Sequence, residues 1–291
     1  MKFSAAVILA AAIGASAHPS HGHRNAHRSV GGRFVKNLKP VAPAPPPATT
    51  EAPAPPPATT TVVAPAAPSV ASAAPSPSST AGSGSGYKPF CGGVGKRATE
   101  AQIFYAGNTG TGATPGCNIM EIPASAVSLY DYTVTFNNAG GNDQDCVCWN
   151  KIGPDGGVNG FFKGNQAMEF KLPKGGSAYV AVDKNSQIGC SCGHGGVPTT
   201  SFGQFAGTWL EADFENESNQ GWSGFDASCL VPARFNMDIP PLQVCGAGTC
   251  STINQGGSGT NAYLAGMEAE DGIGGNVKKG PLALTVKVNG A

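Results

Sequence analysis

Thr208-Trp-Leu-Glu-Ala-Asp-Phe-Glu215 alternates apolar and acidic residues. A period of two is typical of a β-strand, because successive side chains of a strand point to opposite faces of the sheet. The pattern predicts a strand over 207–215 whose apolar side chains enter a core. The three acids, Glu211, Asp213 and Glu215, would then share the opposite, solvated face.

Two further segments alternate in the same way, Tyr132-Thr-Val-Thr-Phe136 and Leu282-Ala-Leu-Thr-Val-Lys-Val288. Met168–Leu172 and Ser177–Val182 are predicted to pair as a hairpin, because Pro173-Lys-Gly-Gly176 between them supplies the glycines of a tight reversal. More strands are expected at 117–122, 146–152 and 226–231.

Signals for helices are few, and Ala98–Tyr105 and Ala262–Glu270 are the candidates. Only 12% of the chain is charged and 42 residues are Gly, which is typical of a loop-rich β protein. The domain is therefore predicted to be mainly β, an antiparallel β-sandwich stabilised by disulfides.

Nine cysteines lie after residue 90, four of them in two Cys-x-Cys motifs. Structural zinc ligands are usually spaced by two to four residues, so a one-residue spacing argues against a four-thiolate site. Residues i and i+2 of a strand share a face, so two antiparallel neighbours could join the motifs at successive rungs, although other pairings stay open. The expected disulfides are Cys146–Cys192, Cys148–Cys190, Cys245–Cys250 and Cys91–Cys117, which leaves Cys229 as the free thiol.

The N-terminal part of the chain has a different composition. Residues 1–17 resemble a signal peptide, with Lys2, a short apolar run and the small-residue site Ala15-Ser-Ala17. Residues 18–40 are His-rich, and 41–86 form a Pro-, Ser- and Thr-rich linker in which APAPPPATT occurs twice. Such a linker is expected to be disordered and O-glycosylated, and residues 87–291 form the folded domain. These features predict a secreted protein.

The charge of the domain excludes some partners. Residues 87–291 carry 12 Lys and Arg against 17 Asp and Glu, a net charge of −5, without a basic cluster. Nucleic acid is therefore not expected as a partner. No segment after the leader is apolar for long enough to span a membrane. Four of the five histidines fall within 18–27, where only weak metal binding is expected, so no defined metal site and no cofactor are predicted.

The acids of the 207–215 strand are also candidates for sugar chemistry. Acids two apart on a strand are ~6.5–7 Å apart, within the range of the paired carboxylates in glycoside hydrolysis. Trp222 could offer a sugar ring an aromatic surface, and Asp226 is nearby in the sequence. The candidate ligand-binding residues are Glu211, Asp213, Glu215, Trp222 and Asp226, and Glu211 and Asp226 would be catalytic in an enzyme. A solvated strand face is the alternative.

One N-glycosylation sequon is present, Asn216-Glu-Ser218. Its acidic surroundings predict an exposed loop and a glycan on Asn216.

Several motifs resemble the Asp f four family of secreted fungal allergens. They are Ile103-Phe-Tyr-Ala-Gly-Asn108, Trp149-Asn-Lys-Ile-Gly-Pro-Asp-Gly-Gly157, Tyr179-Val-Ala-Val-Asp-Lys-Asn-Ser-Gln187, Gly221-Trp-Ser-Gly-Phe-Asp-Ala-Ser228 and Asp271-Gly-Ile-Gly-Gly275. The resemblance spans most of 91–290 in the same order. It implies a filamentous fungus and an extracellular or cell-wall location, and it supplies no catalytic residue.

A shorter stretch is similar to the centre of thaumatin-like proteins. It comprises Thr208-x-x-Glu211, Phe225-Asp-Ala-Ser228 and Phe235-Asn-Met237. Those proteins are disulfide-rich β-sandwiches with an acidic cleft, and some bind β-glucan. The matching positions would be Glu211 and Asp226.

Together these features predict a secreted, cell-wall-associated, allergen-like protein that binds wall β-glucan without catalysis. A glycoside hydrolase using Glu211 and Asp226 is one alternative. A secreted effector that binds a host protein is the other, and it predicts an exposed apolar patch away from those acids.

Overall fold

The computed structural model describes residues 86–93, 107–111 and 113–291. The leader, the His-rich segment, the linker up to residue 85 and the helix expected over Ala98–Tyr105 lie outside these residues. No helix in the described part of the chain is long and apolar enough to cross a membrane.

The described residues form fifteen strands. They are β1 Gly110–Thr111, β2 Thr114–Pro115, β3 Ile119–Ile122, β4 Tyr132–Asn138, β5 Gln144–Asn150, β6 Met168–Leu172, β7 Ser177–Val182, β8 Ser186–Gly193, β9 Trp209–Asn216, β10 Trp222–Ser228, β11 Leu242–Gly246, β12 Thr249–Ile253, β13 Gly259–Thr260, β14 Gly275–Val277 and β15 Leu282–Val288. The same residues contain one short α-helix, α1 Leu230–Arg234, and three 3-10 segments, Phe90–Gly93, Ala124–Leu129 and Glu217–Asn219.

Most of the strands form two sheets that pack face to face. The six-stranded sheet has the order β14-β10-β9-β8-β5-β6, and the seven-stranded sheet has the order β13-β12-β11-β15-β4-β7-β3. Their inner faces share one apolar core. The rings of Tyr132 and Phe214 lie 5.6 Å apart across it, and those of Phe136 and Phe170 lie 5.1 Å apart. The protein is therefore mainly β and a sandwich, as predicted.

One predicted detail of the sheets is wrong. β6 and β7 do not form a hairpin, because β6 pairs with β5 in one sheet and β7 pairs with β3 and β4 in the other. Phe170 of β6 and Val180 of β7 both enter the core, so the turn between these strands carries the chain from one sheet to the other. Among the described strands the pairing is antiparallel as predicted, except that β15 and β4 pair in parallel from Leu282↔Tyr132 to Val288↔Asn138.

The disulfides pin both sheets. β5 and β8 are antiparallel neighbours, and they join Cys146 to Cys192 and Cys148 to Cys190 at successive rungs, as the strand geometry predicted. Cys245 and Cys250 are opposite each other in the β11–β12 hairpin, and Cys91 is bonded to Cys117. Cys229 is free and buried, and burial raises the pKa of its thiol to about 11.

The outer faces of the two sheets differ. On the seven-stranded sheet β15 alternates between buried and more exposed positions along its whole length. The outer face of the six-stranded sheet is covered instead, because loops and α1 pack a second apolar cluster against it. The cluster comprises Val147, Trp149, Phe161, Phe205, Ala206, Trp209 and Val231.

The helix expected over Ala262–Glu270 is not formed. Turns occupy this segment, and Tyr263 forms a single parallel bridge to Ser228 at the end of β10. Gly266, with φ +83°, takes a backbone conformation that a helix does not accommodate. The segment therefore forms a loop over the outer face of the six-stranded sheet.

Candidate functional site

Two of the predicted acids meet on neighbouring strands. Glu211 of β9 is directly opposite Asp226 of β10, Gly189 of β8 is opposite Glu211, and Trp149 of β5 is opposite Gly189. These four residues form one row across the outer face, which we call the acidic rung. The prediction that the acids share a solvated face is wrong, because Glu211 is 1% exposed and Asp226 is fully buried.

A glycine gives the acidic rung its shape. The indole of Trp149 covers Gly189 so closely that a Cβ built there would lie 2.5 Å from its Nε1. Only a residue without a side chain fits under the indole at this position of β8. The ring stacks on Phe205 with centroids 5.2 Å apart and meets Trp209 edge-on at 5.1 Å. These aromatic rings therefore cover the Glu211 side of the acidic rung and separate it from solvent.

A loop covers the other side. Gly274, which precedes β14, has φ +102°, and a Cβ there would lie 2.8 Å from the Cβ of Asp226 and in contact with the backbone of Phe225. The buried hydroxyl of Tyr263 is close enough to the acids that their charges raise its pKa, after burial as the larger cause. The loop 261–274 is thus closed directly over Asp226. This close contact requires glycine at position 274 of the Asp271–Gly275 motif.

The buried acids perturb one another. Burial raises the pKa of Asp226 well above 3.8, and the neighbouring charges of Glu211 and Asp213 raise it further. Neither Asp226 oxygen has a hydrogen-bond partner of good geometry among the described residues, but its carboxyl lies against that of Glu211. Burial also raises the pKa of Asp213 to about 6, although Lys151 and a 2.9 Å hydrogen bond from Asn216 oppose the shift.

Glu215 does not join the other acids. A β-bulge places Glu215 and Phe214 opposite a single residue of β10, and Glu215 has φ +47°. Its carboxylate accepts a hydrogen bond from Tyr132 of the core and pairs with Lys279 at 3.0 Å. Burial alone would raise the pKa of Glu215, but that hydrogen bond and the charges of Lys279 and Lys184 hold it below its usual value.

Trp222 is also apart from the acidic rung. It is half-buried at the start of β10 opposite Asn216, four residues from Asp226, which is ~13 Å along a strand. Asn216 is buried and not on an exposed loop as expected, because its Nδ2 donates to Asp213. A glycan on Asn216 stays a prediction.

The chemistry that the acidic rung could perform depends on access. Adjacent carboxyl groups of which one has a raised pKa are the arrangement of an acid–base pair. As folded, however, both carboxyls are sealed by Trp149 and the loop 261–274, so a substrate cannot reach them.

Within the described residues there is no group of three or more His, Cys, Asp or Glu suited to hold a metal ion. Asp143 accepts the backbone N–H of Lys174, and Asp145 pairs with Lys171.

A different part of the same face is open. A groove of about 540 Å³ lies over β5 and β6, lined by Asp145, Cys146, Val147, Lys163, Gln166, Glu169, Phe170, Lys171, Gly196, Val197 and Phe205. We call it the β5–β6 groove. The sequence patterns predict no groove at this place. The exposed alternation of Glu169 and Lys171 with the buried Phe170 and Leu172 was the available signal.

The fold and the site define a disulfide-stabilised two-sheet β protein with a sealed acidic rung and an open groove. Comparison with known proteins identifies its family. The model of the Allergen Asp f 4-like domain matches residues 117–288, and the chain therefore belongs to this family of fungal proteins. Allergen Asp f 4 of Aspergillus fumigatus is 38% identical over 191 residues, a match that covers 64% of this chain and 58% of that relative.

Two solved structures show a weak likeness. The protein elicitor MoHrip2 from Magnaporthe oryzae is 11% identical with a TM-score of 0.33, and the match covers 55% of this chain and 99% of that chain. The thaumatin-like xylanase inhibitor TLXI is 10% identical with a TM-score of 0.32, and the match covers 53% of this chain and 97% of that chain. Likenesses of this size carry no conclusion about fold or function.

Proposed function

We propose that this allergen-family protein is secreted, resides in the fungal cell wall and binds wall β-glucan without catalysis. The observation that carries the secreted location is the set of four disulfides, two of them on successive rungs of the same strand pair. Disulfides of this density are typical of an oxidising, extracellular environment. The signal-like residues 1–17 support the same location.

The burial of the acids supports a binding protein more than an enzyme. A glycoside hydrolase needs both carboxyl groups in contact with the sugar, and here the two carboxyls are closed off. Binding by accessible groups elsewhere on the domain needs no such access.

The test begins with location. The tagged full chain is expressed in a filamentous fungus, and medium, wall and cell lysate are separated. We expect the protein in the wall and medium fractions. Purified protein should then be retained on insoluble β-1,3-glucan without release of sugar. Accumulation inside the cell, or no retention, would contradict the proposal.

A hydrolase is a second candidate, favoured by the direct pairing of Glu211 with Asp226. It requires the loop 261–274 to open. Released sugar that disappears in both Glu211→Gln and Asp226→Asn would establish it.

An effector that binds a protein is a third candidate, favoured by a surface row of aromatic rings. Phe202 and Phe235 are 36% and 38% exposed, and their ring centroids lie 5.3 Å apart, with Phe162 next to Phe202 at 6.3 Å. Aromatic side chains are enriched at protein interfaces. Loss of a partner on Phe202→Ser, with glucan retention absent in wild type, would favour this function.

A further inference from the structure

We propose that the β5–β6 groove is the β-glucan site, an inference that rests on the proposed function and assigns its binding residues. The groove has the size of a small-ligand site, for which ~300–1,000 Å³ is typical. It is on the same outer face as the acidic rung, but at the β6 edge of the sheet, where the covering loops leave the face open.

The floor of the groove is apolar and rigid. Val147 of β5 and Phe205 form its base, and Val197 adds a half-buried apolar side chain. The ring of Phe205 stacks against the indole of Trp149 with an interplanar angle of 18°. A pyranose ring has one face made of C–H groups, and an apolar floor of this kind is complementary to that face.

The charges around the groove cancel. Lys171 forms an ion pair with Asp145, which is opposite it on β5. Lys163 and Glu169 supply one further charge of each sign. A lining of two cations and two anions has no net attraction for a phosphate, a polyanion or a metal ion. It suits a neutral ligand with many hydroxyl groups.

Hydrogen bonds also orient one polar pair of the groove, Gln166 and Glu169. The Nε2 of Gln166 donates to the Oε1 of Glu169 at 2.6 Å, and the Oε1 of Gln166 accepts the backbone N–H of Gly164 at 2.6 Å. Among the described residues no hydrogen bond or ion pair engages the second oxygen of Glu169 or the ammonium of Lys163, so both can reach hydroxyl groups at the exposed rim. Preorganised donors and acceptors bind with less loss of side-chain entropy.

The test uses the full chain and a soluble β-1,3-gluco-oligosaccharide, with the dissociation constant measured by calorimetry. The double variant Gln166→Ala/Glu169→Ala removes the polar pair of the groove. Because the variant removes hydrogen bonds that a charged carboxylate would make to the sugar, we expect affinity to fall about tenfold or more. Glu121→Ala is the matched control, since Glu121 is an exposed acid on β3, the edge strand of the other sheet. It should leave affinity unchanged.

Hydrogen exchange gives a readout that does not depend on a variant. The oligosaccharide should slow exchange in wild type at residues 163–171 and 196–197, and not along β15. Weak wild-type binding to glucan beside tight binding to a chito-oligosaccharide would overturn the choice of sugar. Wild-type binding that the double variant retains, or protection confined to other strands, would overturn the groove and leave the proposed function standing. Absence of wild-type binding to every glucan would overturn the proposed function and the groove together.

Discussion

β9 and β15 have the same alternating sequence pattern and opposite surroundings. In β15, Leu284 enters the core while Ala283 and Thr285 are exposed. In β9, Leu210 enters the same core, but Glu211 on the other face is as buried as Leu210. Alternation therefore reports which residues share a face. It does not report whether the second face meets water, because loops distant in sequence decide that.

The largest effects are expected on the inner faces, where the two strands are alike. Leu210 and Leu284 are each 1% exposed in the shared core. Leu210→Ala and Leu284→Ala should each lower the free energy of unfolding by about 3 kcal/mol, the cost of lost burial plus a cavity. Urea denaturation with the disulfides intact measures both. A cost for Leu284 several-fold below that for Leu210 would show that the two sheets do not share one core.

The outer faces should respond differently to a single added methyl group. Gly189→Ala places a Cβ against the indole of Trp149, which Phe205 and Trp209 hold in place, so we expect a loss of about 2 kcal/mol. Ala283→Val is the matched change on the exposed face of β15. It should stay within about 0.5 kcal/mol of wild type. Equal, small costs would mean that the outer face of the six-stranded sheet is loosely covered.

A smaller effect on stability is expected at Glu215, which the β-bulge separates from Glu211 and Asp213. Glu215→Gln loses the attraction of Lys279 and Lys184 and should cost about 1 kcal/mol at pH 7. Because the pKa of Glu215 is lowered in the folded protein, this stabilisation is present above its ordinary value of 4.5 and is lost as pH falls through the folded pKa. The difference between variant and wild type should therefore shrink as pH falls below 4.5 and vanish once Glu215 of the folded protein is protonated. A difference that grows on acidification would contradict the ion pairs.

Much of the strand content could be predicted from sequence, because apolar periodicity and the i, i+2 spacing of cysteines are local properties. Cys146, Cys148, Cys190 and Cys192 thus specify both a strand pair and its register. Long-range choices could not be predicted in this way. The turn after Leu172 could lead either to a hairpin or to the other sheet, and the parallel pairing of β4 with β15 joins segments about 150 residues apart.

The acidic rung shows the same limit at the site. The sequence indicates that Glu211 and Asp213 share a face and that Asp226 is nearby. The direct pairing of Glu211 with Asp226 depends on the register of β9 and β10, and their burial depends on Gly274 and the loop 261–274. The bulge that diverts Glu215 has no signal in the alternating pattern. The β5–β6 groove needs three separate segments to meet, which local periodicity does not report.

The most direct test that Asp213 and Asp226 are sealed from water is the pH dependence of the free energy of unfolding. The raised pKa values of Asp213 and Asp226 mean that the unfolded state binds fewer protons than the folded state above about pH 4. The contribution of these two acids to the free energy of unfolding is therefore fully present below their ordinary pKa of 3.8. It is lost as pH rises through the folded pKa, which is about 6 for Asp213.

The measurement is the free energy of unfolding between about pH 4 and pH 8 for wild type, Asp226→Asn and the exposed-face control Glu121→Gln. We expect wild type and Glu121→Gln to lose stability with rising pH along parallel curves, and Asp226→Asn to lose much less. A wild-type curve that is flat or rises over this window, or an Asp226→Asn curve with the wild-type slope, would show that the acids are not sealed from water.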